Sequence, residues 1–154
     1  DVGPEGVVRV VFVRHAVTVQ QLQELATMVR FTVEIRRLFT YNTPRAIALR
    51  GTAEQIAAAQ WMIERLDREP ARMEEVAGEF RLSGTGDGGK GDDVLRLFVV
   101  KQAANPAQLQ ETAVAVRTHT NVRRLFTYNA LRAMAVRGTT AQLEQARVLL
   151  DAKQ

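Results

Sequence analysis

The chain has 154 residues, 46% of them hydrophobic and 25% charged, and a net charge of +4. That balance fits one ordinary globular domain or two small ones and excludes disorder throughout. There is no cysteine, which removes disulfides, thiolate metal sites and cysteine nucleophiles. No apolar run approaches the roughly eighteen residues of a membrane-spanning helix, and the residues after Asp1 form neither a basic nor a hydrophobic leader. Of the 21 basic residues only Lys90, Lys101 and Lys153 are lysines, and no basic run forms a nucleic-acid or lipid patch, so the charge reads as solvated surface.

The first copy of a repeat opens with Val8–Arg14, a strand by its β-branched content. Thr18 with Gln21 makes a capping box, and Leu22, Leu25, Ala26 and Val29 then lie on one helical face. A hairpin follows, with 35–42 and 45–51 flanking Thr43-Pro44. If those two residues are the turn, position 40 pairs with 47 and 38 with 49. Leu38, Thr40, Ile47 and Leu49 then share one face, and Arg37, Phe39, Tyr41, Ala46, Ala48 and Arg50 the other. A register slip of one residue would exchange the faces. Thr52 with Gln55 caps a last helix, whose buried stripe is Ile56, Ala59, Ile63 and Leu66.

All of this recurs. Arg36–Asn42, Arg-Arg-Leu-Phe-Thr-Tyr-Asn, is repeated unchanged at Arg123–Asn129. The offset of 87 holds without a gap from 8–64 onto 95–151, and 25 of the 57 aligned positions are identical, which marks a duplication. In the second copy, Asn105-Pro106 supplies the helix start and Thr139 with Gln142 the last cap. The predicted fold class is α+β, a tandem βαββα module. Each module has a three-stranded mixed sheet, the third strand lying between the first two, with two helices on one face. The expected domains are 1–69 and 94–154, joined by a linker over 70–93. That linker is flexible from 83, where five glycines and no apolar residue occur, and 79–82 offers an extra edge strand. Each half is expected to fold alone.

Catalytic constellations are missing from the sequence. His15 and His119 do not align between copies, Ser83 is the only serine, and no acidic cluster has metal-ligand spacing. The glycines at 84–91 lack the lysine and hydroxyl residue that end a phosphate loop. No enzyme activity, cofactor, metal or small-molecule substrate is expected. What remains is the repeated arginine-aromatic strand face: Arg37, Phe39, Tyr41 and Arg50, and Arg124, Phe126, Tyr128 and Arg137. Arginine and aromatic residues dominate interface hot spots, so this face reads as a surface for a protein partner or for self-association. The alternative is that the rings pack under the linker or against the other module, with arginine stems lying over them.

The βαββα order, Asn42, Gly51-Thr52, Gln55-Ile56, Ala59, Ile63 and Leu66-Asp67 resemble the short N-terminal periplasmic modules of bacterial secretins. So do Asn129, Gly138-Thr139, Gln142-Leu143, Ala146, Leu150 and Asp151 in the second copy. The resemblance implies a non-catalytic, ring-building scaffold in the periplasm, part of secretion or pilus machinery; the β-barrel domain of a secretin is absent from this sequence. The module order is also close to KH-type domains, and an arginine-aromatic sheet can stack bases. Neither copy has the Gly-x-x-Gly loop that would clamp a nucleic-acid backbone.

Overall fold

The computed structural model describes residues 6–82 and 93–152; the glycine-rich connector lies outside the described residues. The first module runs β1 (Val7–Phe12), α1 (Val19–Val33), β2 (Arg37–Tyr41), β3 (Ala46–Gly51) and α2 (Ala53–Leu66). Its sheet order is β1-β3-β2, with β3 antiparallel to both neighbours. Thr40 faces Ile47 and Leu38 faces Leu49, the register expected from a two-residue turn.

After α2 the chain makes a 3₁₀ turn at Pro70–Glu75 and enters β4 (Gly78–Arg81). Arg65 fastens this stretch by donating to the carbonyls of Glu75 and Ala77 at 3.2 and 2.7 Å. The strand foreseen at 79–82 is therefore present one residue earlier, and it pairs with the second module. That module follows as β5 (Val94–Val99), α3 (Pro106–Thr120), β6 (Arg124–Tyr128), β7 (Ala133–Gly138) and α4 (Thr140–Ala152). Its sheet, β4-β5-β7-β6, has one strand more than its twin.

Local chemistry sets the helix ends alike in both copies. The Thr18 and Thr52 side chains accept from the backbone of Gln21 and Gln55, whose own side chains reach back to the cap. Thr139 and Gln142 do the same at 3.0 and 3.1 Å. Gly51 and Gly138 make room for this: a Cβ at either would lie 2.7 or 2.6 Å from the capping glutamine oxygen. α1 and α3 end in left-handed caps at Glu34 and Asn121. Just before each cap, Arg30 and Arg117 donate at 2.8 Å to the carbonyls of Leu38 and Leu125, tying helix to strand.

Two hydrophobic clusters result. The smaller belongs to the second module alone, where Val94, Leu125, Met134 and Val136 meet Leu109, Val116 and Leu143. The larger fills the first module and continues into the second through Leu95, Leu97, Tyr128, Leu131, Ala133 and Ala135. The second sheet is thus buried on both faces, by its own helices and by the first module.

Candidate protein-binding site

Residues on facing positions of neighbouring strands share a sheet face, so the register defines two matching surfaces. In the second module the surface consists of Leu95, Leu97 and Val99, then Arg137, Ala135 and Ala133, then Arg124, Phe126 and Tyr128. It lies against α1. The Phe126 ring stacks on Phe31 with centroids 5.7 Å apart and planes inclined by 24°. Arg124 forms an ion pair with the Glu34 carboxylate and donates at 3.2 Å to the Phe31 carbonyl. Arg137 donates at 3.0 Å to the Thr32 carbonyl. Asn129, just past β6, donates from its backbone and its side chain to the two oxygens of Glu24, at 2.7 and 2.8 Å. Tyr128 is 1% exposed. Burial, with the carboxylates of Glu24 and Asp67 adding to it, pushes its phenol up to about 12.

The same surface on the first module is open. It holds Val8, Val10 and Phe12, then Arg50, Ala48 and Ala46, then Arg37, Phe39 and Tyr41. Phe39 is 67% exposed, Phe12 64% and Tyr41 56%. A shallow groove of about 250 Å³ runs between Val8, Phe39, Ala48 and the stems of Arg37 and Arg50. Contiguous apolar exposure bordered by charge is the ordinary mark of a binding surface. The eight residues singled out in the sequence therefore divide into two sets. Arg124, Phe126, Tyr128 and Arg137 meet the other module, and Arg37, Phe39, Tyr41 and Arg50 face outward.

Sequence reasoning missed the receiving side. Glu24, Met28, Phe31, Thr32 and Glu34 lie beside the stripe that packs α1 on its own sheet, and Met28 and Thr32 are buried. Aligned on the repeat, α3 has Glu111, Ala115, Thr118, His119 and Asn121 at these places. The outward faces of the two hairpin strands stayed identical while this helix face diverged, and that contrast was the available signal. Val8, Val10 and Phe12 escaped because the first strand was recognised by composition alone, with no face assigned to its residues.

The titratable groups elsewhere perform structural tasks. Asp67, at the end of α2, accepts backbone N–H groups of Arg14 and His15 at 2.7–3.1 Å and lies 3.1 Å from the His15 ring. Among the described residues no group of three or more metal-ligating side chains is assembled. Also among the described residues, no helix is long and apolar enough to cross a membrane.

No family model matches the sequence, and no curated protein matches it. Solved structures do. The N-terminal domain of the secretin XcpQ from Pseudomonas aeruginosa is similar over 94% of this chain and 60% of its own length, with 10% identity and a TM-score of 0.36. Dim2p from Pyrococcus horikoshii is similar over 94% of this chain and 89% of its own, with 9% identity and a TM-score of 0.42. ExeD of Aeromonas hydrophila gives 96% and 29%, with 14% identity and a TM-score of 0.34. The chain thus spans 60% of the XcpQ domain's length and less than a third of ExeD. A secretin domain is among the structures the chain is similar to, but likeness of this degree assigns neither family nor activity.

Proposed function

We propose that this protein is a non-catalytic assembly module whose first sheet face binds another protein, within periplasmic secretion or pilus machinery of the secretin kind. One observation carries the reading: the same arginine-aromatic face occurs twice, docked on a helix in the second module and open in the first. The docked copy supports the view that this set of side chains suits a protein helix. A fully buried aromatic side chain contributes about 1.5–3 kcal/mol, so Phe39, Tyr41 and Phe12 together offer enough apolar area to hold a partner. Arg37 and Arg50 lie at the rim, where charge acts mainly on association rate and salt dependence.

A photo-crosslinking amino acid at position 39, in the cells that make the protein, tests the reading. A discrete protein adduct is expected, and none from the same group at the exposed position Ala57 on α2. An adduct to RNA or DNA would support the nucleic-acid alternative, whose affinity should also fall steeply with salt. Absence of any discrete adduct contradicts the proposal.

A further inference from the structure

We infer that the open face of the first module receives a helix with the chemistry of α1: a glutamate, a methionine four residues later, an aromatic ring at seven and a glutamate at ten. The occupant is the first helix of another module of this kind. This rests on the reading of that face as a protein interface, and the docked interface inside the chain is its template. There, Phe126 stacks on Phe31, Arg124 pairs with Glu34, Arg137 donates to the carbonyl of Thr32, and Asn129 donates twice to Glu24. The first module repeats each of these groups without substitution, as Phe39, Arg37, Arg50 and Asn42, with Tyr41 in the place of Tyr128. Complementarity to the same helix is retained with them.

The identity of the occupant follows from what this chain itself lacks. α1 is covered by the second module. Its duplicate, α3, keeps Glu111 but carries Ala115, Thr118 and Asn121 where α1 has Met28, Phe31 and Glu34. A second copy offering α3 would bring no ring to Phe39 and no second carboxylate to Arg37 and Arg50. The partner is therefore a module whose first helix bears the full pattern, and not another copy of this chain.

Converting α3 into a second α1 tests this on the full chain. Ala115→Met/Thr118→Phe/Asn121→Glu restores the pattern, and residue 121 already has the left-handed backbone that Glu34 adopts, with φ of 61° against 67°. In sedimentation velocity the unmodified chain should stay monomeric. The triple variant should associate head to tail at least about tenfold more tightly, the scale of a restored hot spot. Adding Phe39→Ser/Tyr41→Ser to the same chain should abolish that association. A folded triple variant that sediments like the unmodified chain overturns the inference. So does association that survives Phe39→Ser/Tyr41→Ser, and so does equally tight association of the unmodified chain. Should the triple variant fail to fold, a fluorescent peptide of residues 17–36 added to the unmodified chain decides. Saturable binding lost with Phe39→Ser/Tyr41→Ser supports the inference, and no binding overturns it. A protein adduct at position 39 alongside a silent triple variant would keep the interface and remove only the helix chemistry.

Discussion

Tyr41 and Tyr128 sit in the same seven-residue segment, yet one is 56% exposed and the other 1%. The difference comes entirely from what covers them, so paired substitutions isolate the docking. Phe126→Ser removes the ring that stacks on Phe31 and should cost about 1.5–3 kcal/mol of stability in urea unfolding. Phe39→Ser, the same change in the open copy, should stay within about 0.5 kcal/mol. Equal losses would show that the two faces have the same surroundings. The Tyr128 phenol gives a second readout. Its folded pKa, about 12, lies above the 10.0 of a free tyrosine, so the protonated form is the one the fold favours. Its contribution is then complete below the unfolded value and is lost as pH rises from 10 towards 12. Melting temperature followed over that range should fall more steeply for the unmodified chain than for Tyr128→Phe. Parallel slopes would mean that this phenol is not held in a buried site.

At the scale of elements, most of the architecture was legible because it is written in local chemistry. Thr18, Thr52, Asn105 and Thr139 mark helix starts through bonds that span three residues. The hairpin register follows from Thr43-Pro44 and from the alternation of Leu38 and Leu49 with Phe39 and Arg50. Thr52→Ala should accordingly lower stability by about 1 kcal/mol, as should Thr139→Ala. Unchanged unfolding of either variant would contradict the caps. The second face of α1 was not legible. Met28 and Thr32 are buried by a strand about a hundred residues away, and nothing in the local periodicity announces a partner at that distance. Only the divergence of Phe31 from Thr118 and of Glu34 from Asn121, against an unchanged face on the hairpin strands, carried that information.

For the whole molecule, the duplication has produced two modules that share one core. Leu95, Leu97, Tyr128 and Leu131 belong to the first module's cluster as much as to their own sheet. Each such side chain is worth about 1.5–3 kcal/mol, so together they rival the roughly 5–15 kcal/mol by which a domain is stable. The modules should behave as one body, and a half cut at the connector would expose this surface. Among the described residues no element covers the first module's matching surface, where Phe39 and Tyr41 are exposed, and the proposed role of the protein lies there. Footprinting its two tyrosines with hydroxyl radicals, in the purified chain and in the cells that make it, tests this most directly. Tyr41 should be modified and Tyr128 protected in the purified chain, and Tyr41 should become protected in the cell. Modification of Tyr128 in the folded, purified chain, or Tyr41 equally reactive in both settings, would contradict it.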